Sequence, residues 1–537
     1  ASAGPGTANL LTAAALAHAN RLPMLMLCGD TFLTRLPDPV LQQLEHYGNP
    51  ALGLNDAFKP VSRFWDRITH PAQVIQSLPA AIATLLDPAD CGPAFIGLPQ
   101  DIAADAYDYP VRFFDEVVHE MRRPRPDRGE LARASATLAS AEKPLIIAGG
   151  GVHWSEAETE LLAFAERHNV PVVETVAGRT SLPQSHPLHA GTIGVTGCTS
   201  ANALAAEADV VLAIGTRLQD FATGSWTVFR NEAVRIVAIN TARFDATKHL
   251  AVPVVADARE ALRAILTAVE AVDLRPDSGY LEEIAVEKQA WHEKLQREVF
   301  ITHPGERFNQ QHALRVLNEE AQPGDVVIGA AGSLPSDLHQ LWDASSGKAC
   351  HLEFGNSCMG YEIPASLGVR LAQPEGEVYV FVGDGTYLMQ PTELVTSIQE
   401  GLKVTLIISC NRGFQVIRRL QMNKVGISFG NEFRARDKAA NRLEGDYVDV
   451  DFAKNAESMG AKAWRVTNAA ELRRALGEAR AETRSCAIVV DAEMHRYGPD
   501  SGVWWDVSPA EVSDDAVTQQ ARREYETDRA RLQRFYY

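Results

Sequence analysis

Short runs of apolar and β-branched residues recur along the chain at 24–28, 94–98, 145–148, 170–173, 210–214, 236–239, 326–328, 378–382, 404–409 and 487–491. Longer stretches with polar residues at helical spacing separate them. A run that is apolar at every position belongs to a strand covered on both faces, and alternation of such strands with helices is the signature of βαβ units. The pattern predicts an α/β protein of doubly wound parallel sheets. Three interruptions divide it. Arg122-Arg-Pro-Arg-Pro-Asp-Arg128 is charged and proline-rich, cannot hold a regular element, and reads as a linker. Residues 273–300 are polar with helical spacing, and His303-Pro304-Gly305 then announces a new segment. Ser508-Pro509-Ala510-Glu511 has the N-cap, N1 proline and N3 glutamate of a capping box, so a charged terminal helix is expected to start there. The expected domains are 1–121, 130–272 and 301–500, with a helical tail over 508–537.

The sharpest chemistry lies in the third domain. The run 378–382 ends in Gly383-Asp384-Gly385-Thr386, and the run 404–409 ends in Cys410-Asn411-Arg412-Gly413. A helical stretch over 391–399, stopped by Gly401, completes one crossover between them. Asp384 and Asn411 should therefore emerge at the carboxyl ends of neighbouring parallel strands, where open α/β sheets bind ligands. A carboxylate, an amide oxygen and a backbone carbonyl suit a hard cation, and Mg²⁺ held by few protein groups completes its octahedron with phosphates. Gly383 and Gly385 let the backbone approach a diphosphate closely. Standing alone, Gly-Asp-Gly is more often a tight turn.

It does not stand alone. Gly-Asp-Gly-Thr, the 27 positions from Asp384 to Asn411 and the closing Asn-x-Gly resemble the cofactor fingerprint of thiamine diphosphate enzymes. The resemblance implies that Asp384, Asn411 and the Gly413 carbonyl hold Mg²⁺, with Gly383, Gly385 and Thr386 beside the diphosphate. Cys410 departs from the pattern, since many relatives have a first Asn there, but the implied ligand is the second position. Ala331-Gly332-Ser333-Leu334 is similar to the family loop that touches the diphosphate. Phe354-Gly-Asn-Ser-Cys-Met-Gly-Tyr361 is similar to the segment that bends the cofactor: it would wedge Met359 between the two rings and bond the aminopyrimidine through the Ser357 carbonyl and the Met359 N–H. Met359 taken by itself would be core filler. Ser2-Ala-Gly-Pro-Gly-Thr7, with Gly4 and Gly6, resembles the turn of the pyrimidine-binding domain in acetolactate-synthase-like enzymes, and Gln42 or Gln43 sits where that group often has an active-site Gln. Taken alone, Gly-Pro-Gly is better read as a simple strand-to-helix turn.

Gly29-Asp-Thr-Phe32, Asn55-Asp-Ala-Phe58, Ser357-Cys-Met-Gly-Tyr-Glu362, Leu420-Gln-Met422 and Glu432-Phe-Arg434 narrow the resemblance. They are similar to the hydrolases that open a cyclic polyol-dione in inositol breakdown. An active homodimer or homotetramer is then implied, because the two ends of the cofactor lie on different subunits in this family. The resemblance also implies a catalytic Glu upstream of the Ser-Gly-Pro-Gly turn. No residue precedes Ala1, so that Glu is expected outside this sequence and its role is not moved to Glu45. His18, Arg35 and His46 are candidates for substrate contact, each better read as a surface or structural residue. Gly149-Gly-Gly151 and Gly215-Thr-Arg217 match the family's central domain, which binds FAD in some relatives and nothing in others. The rival readings are an acetolactate-synthase-like carboligase acting on 2-oxo acids, an inactive cofactor-binding scaffold and, weakest, a dinucleotide oxidoreductase, since no Gly-x-Gly-x-x-Gly follows a strand.

Charge and cysteines narrow the setting. Over 537 residues, 51 Lys and Arg against 69 Asp and Glu give −18, a field that disfavours nucleic acid and anionic membranes and leaves small anions to be held by a metal or helix N-termini. Seven cysteines with no Cys-x-x-Cys argue for reduced thiols and a cytoplasmic location. The early apolar stretch 22–28 is too short for a membrane span.

Overall fold

The computed structural model describes residues 1–34, 40–44, 46–269, 274–301, 303 and 305–534. Arg35 and Glu45 lie outside them. The chain forms two compact units, residues 1–124 and 125–537, parted inside the proline-rich segment 122–128. Asp127 ends that segment as an N-cap, accepting from the backbone N–H of Gly129 and Glu130 to start the helix Arg128–Ala139.

In the first unit β1 (Met24–Asp30), β2 (Phe64–Arg67) and β3 (Pro93–Pro99) form a parallel sheet in the order β1-β3-β2. The second unit holds two six-stranded parallel sheets. One is built from β4 (Pro144–Ala148), β5 (Val172–Glu174), β6 (His189–Thr192), β7 (Val210–Ile214), β8 (Arg235–Asn240) and β9 (Val252–Val255), ordered β6-β5-β4-β7-β8-β9. The other is built from β10 (Val326–Gly329), β11 (Ala349–Leu352), β12 (Val378–Gly383), β13 (Thr405–Cys410), β14 (Lys462–Val466) and β15 (Cys486–Asp491), ordered β11-β10-β12-β13-β15-β14.

The central strands of the last sheet carry apolar side chains on both faces, as a sheet covered by helices on both sides requires. Val327, Tyr379, Phe381 and Ile407 enter one core, and Val326, Ile328, Val380, Val382 and Ile408 enter another. The two sheets of the second unit meet through polar contacts: His339 lies 3.2 Å from Thr196 Oγ1, and Arg179 donates to the Trp342 carbonyl.

The expected terminal helix needs correction. It runs Ala516–Leu532, and its cap is Asp515, which accepts from Thr518 N–H. The Ser508 hydroxyl instead donates to the Pro509 carbonyl and accepts from Arg522, so it is not available as a cap.

Candidate functional site

Strands β11, β10, β12 and β13 are consecutive neighbours and all run the same way. The four segments that follow them, 353–361, 330–334, 384–387 and 411–414, therefore leave one edge of one sheet. The sequence motifs of the third domain are gathered there.

Asp384 opens the short helix Asp384–Tyr387 and is fully buried. Its carboxylate accepts from the N–H of Gly385 at 2.7 Å, of Gly413 at 3.3 Å and of Arg412. Burial nevertheless pushes the group up to about 6, against the pull of those amides. A cation beside a carboxylate so placed would favour its charged form. Asn411, just past β13, is buried, and its Oδ1 has no hydrogen-bond partner. An orphaned buried acceptor is costly unless a ligand meets it. Among the described residues the Gly413 carbonyl accepts Gln415 N–H alone, at 3.1 Å, which leaves it a second lone pair. Among the described residues no cluster of three or more His, Cys, Asp and Glu could hold a metal. A cation at this edge would rest on one carboxylate and neutral oxygens, a donor set that suits Mg²⁺.

The chain can run this way only with glycine. Gly413 has φ +143°, and a Cβ there would lie 2.3 Å from the Asn431 carbonyl oxygen. A Cβ on Gly385 would meet the Phe414 ring at 2.7 Å. Gly332 differs: its φ is +87°, and a Cβ would find nothing within 4 Å, so its side faces open space. Ser333 precedes the helix Leu334–Leu341, with Leu334 buried at its first position. Thr386 is buried within its short helix.

The segment after β11 is held by Glu353, which accepts from Asn356 N–H at 2.8 Å and Cys358 N–H at 3.0 Å. Ser357 takes φ +47° and Gly360 φ +88°. Met359 between them is 37% exposed and so is not core filler. Gly360 packs beside Met389 and Gln390, just past the Asp384 helix.

Two side chains with no role assigned from sequence tie these segments together. Gln310 donates to Ser333 Oγ at 3.1 Å and accepts from Ser409 Oγ on β13 at 3.0 Å. Glu362 accepts from Ala331 N–H at 3.1 Å. Glu362 could have been picked out as a carboxylate ahead of the apolar stretch Ile363-Pro-Ala-Ser-Leu367; Gln310 gives no such signal.

The first unit is described by itself. Gly4 has φ +65°, a Cβ there would lie 1.9 Å from the Gln42 carbonyl oxygen, and one on Gly6 would lie 2.3 Å from Ser2 Oγ. The turn thus starts the helix Pro5–Ala8 with Pro5 at its first position. Gln43 accepts from Thr31 Oγ1, and its Nε2 is buried without a partner. His18 is half-buried in the last turn of the helix Leu11–Asn20, and His46 is exposed.

The central sheet treats its glycines differently. A Cβ on Gly149 would lie 2.5 Å from the Gly215 carbonyl oxygen, and one on Gly151 2.5 Å from Gly215 Cα. These turns are filled by each other's backbone.

Among the described residues no helix is long and apolar enough to cross a membrane. Residues 131–265 match the family described as thiamine pyrophosphate enzyme, central domain, and residues 330–490 match thiamine pyrophosphate enzyme, C-terminal TPP binding domain. A 3D-(3,5/4)-trihydroxycyclohexane-1,2-dione hydrolase 2 of Bacillus cereus is 41% identical over 99% of this chain and 86% of its own length. Hydrolases of the same name from Bacillus anthracis and Bacillus thuringiensis are 40% identical over 99% of this chain and 85% of theirs.

Proposed function

The chain belongs to the trihydroxycyclohexanedione hydrolases, a branch of the thiamine diphosphate enzymes, and on that footing we propose that it hydrolytically opens 3D-(3,5/4)-trihydroxycyclohexane-1,2-dione to 5-deoxy-glucuronate in inositol breakdown. What carries the reading is 41% identity spread over 99% of the chain.

The side chains at the carboxyl edge support the cofactor half of the proposal. Asp384, Asn411 through its orphaned Oδ1, and the Gly413 carbonyl would hold Mg²⁺. The open side of Gly332 and the backbone of Ser333 and Leu334 would receive the diphosphate, with Gly383, Gly385 and Thr386 beside it. Ser357 and Met359 would hold the aminopyrimidine, with Gly4 and Gly6 shaping the turn of the pyrimidine-binding domain. Bound thiamine diphosphate supplies an electron sink for breaking the bond beside a carbonyl. The chain's contribution is to fix that group and keep the cation against it. No acid of this sequence is proposed for the proton relay on the pyrimidine. No flavin is proposed either, because Gly149, Gly151 and Gly215 fill one another's space. A homodimer or homotetramer in the cytoplasm completes the proposal, supported by seven unpaired thiols.

The test supplies the protein with thiamine diphosphate, Mg²⁺ and either the cyclic dione or pyruvate, and follows products by NMR. A ring-opened acid from the dione and no acetolactate from pyruvate is the expected outcome. Acetolactate formation would favour the carboligase instead, and cofactor binding without either product would favour an inactive scaffold.

A further inference from the structure

Glu362 opens the helix Glu362–Ala372, yet it is only 1% exposed. One carboxyl oxygen, Oε1, accepts from the N–H of Ala331, 31 residues away in sequence. The other, Oε2, is buried with no hydrogen-bond partner. The bond joins two segments that leave neighbouring strands: 330–334 after β10, and the helix that follows 353–361 after β11. Without it, Ala331 N–H would be a buried donor left without an acceptor.

We propose that Glu362 is a positioning residue that latches the segment 331–334 to the helix behind 354–361, so that the two cofactor-facing segments keep one spacing. The role rests on the cofactor reading above. The state of the carboxyl agrees with it. Burial pushes Glu362 up to about 7, and the charge of Glu353 pushes the same way, against the pull of backbone amides including Ala331 and Ala330. A protonated carboxyl spares an anionic cofactor a second full negative charge at the loop that would hold its diphosphate.

Two readouts on the full chain test this. Amide hydrogen exchange on the cofactor-free protein reads the latch itself, and titration calorimetry with thiamine diphosphate and Mg²⁺ reads its consequence. Glu362→Ala, and Glu362→Leu as a variant that keeps the site apolar and filled, should both speed exchange across 331–334 at least tenfold. Both should also raise the cofactor Kd at least tenfold. Glu362→Gln keeps a neutral acceptor oxygen and should leave both quantities within about threefold of the parent. Unchanged exchange in the Ala and Leu variants would overturn the latch. Faster exchange with unchanged Kd would overturn the positioning role, as would a Gln variant no better than Ala. A parent chain that binds no thiamine diphosphate would refute the proposed function and the positioning role together, while exchange would still decide the latch.

Discussion

The two six-stranded sheets of the second unit have the same parallel build, but their carboxyl edges are finished in opposite ways. At the central sheet the turns after β4 and β7 interlock, glycine against glycine, with approaches that leave no room even for a methyl group. The charge there is consumed internally: Glu174, the last residue of β5, pairs with Arg179 at 2.6 Å, lies 3.3 Å from His189 and accepts from Leu182 N–H at 3.0 Å. At the C-terminal sheet Gly332 faces open space, and Asn411 Oδ1 and Glu362 Oε2 are buried without partners. One edge pairs its buried charges with each other, and the other leaves buried oxygens of Asn411 and Glu362 unmet. Fold alone does not tell them apart, since function is carried by the groups that the turns leave unsatisfied.

Removing the charge on the closed edge should give the largest change in stability. Burial pushes Glu174 up, but the charges of His189 and Arg179 outweigh it and hold the carboxyl at about 2. Glu174→Ala leaves a buried guanidinium without its partner, which is expected to cost about 3–5 kcal/mol in denaturant unfolding. The sign with pH follows from the lowered value. The stabilisation is complete above the ordinary carboxyl range near 4.5 and is lost as pH falls through about 2. Acid unfolding of the variant should therefore show a flatter slope than the parent between those limits, and parallel slopes would count against an ionised Glu174.

On the open edge the corresponding change should act on binding. Asp384→Ala removes the one carboxylate of the proposed cation site, and calorimetry should show Mg²⁺-dependent thiamine diphosphate affinity falling at least a hundredfold, or about 2.8 kcal/mol. Stability without cofactor should fall as well, because the N–H groups of Gly385, Arg412 and Gly413 lose their acceptor, with the loss offset in part by removal of a buried carboxyl pushed up to about 6. Unchanged affinity would refute the metal assignment.

How far this contrast could be read from sequence follows from what each feature depends on. The interior strands β3, β4, β5, β7, β8, β10, β12, β13 and β15 were all legible, because burial on both faces writes itself as an unbroken apolar run. The five strands not foreseen, β2, β6, β9, β11 and β14, are all sheet edges. An edge strand has one neighbour and tolerates Asp66, Arg67, Pro253, His351 or Lys462, which dissolve the run. β1 is also an edge, but Met24-Leu-Met-Leu-Cys28 stays apolar throughout and so was seen. Asp384, Asn411 and Gly413 were legible because each lies within a few residues of its strand end. Gln310 carries no local signal, and Glu362 shows only as a carboxylate ahead of an apolar stretch, because the groups they bond lie 23 and 31 residues away and only the fold brings them near.

The smallest effects give the finest comparison, one glycine from each edge exchanged for alanine. Gly215 has φ +58°, and a Cβ would lie 2.4 Å from Gly151 Cα, so Gly215→Ala forces backbone apart and should cost about 2–3 kcal/mol in unfolding experiments. Cofactor affinity should not change. Gly332→Ala meets no atom, and its cost is confined to holding an L-residue at φ +87°, about 1 kcal/mol. The methyl group would, however, project into the space proposed for the diphosphate, so affinity should fall roughly tenfold, a further 1.4 kcal/mol that appears only with ligand present. Unfolding with and without thiamine diphosphate separates the two costs. If Gly332→Ala loses stability and keeps its affinity, the open side of that turn is not the diphosphate seat, and the two edges differ in packing alone.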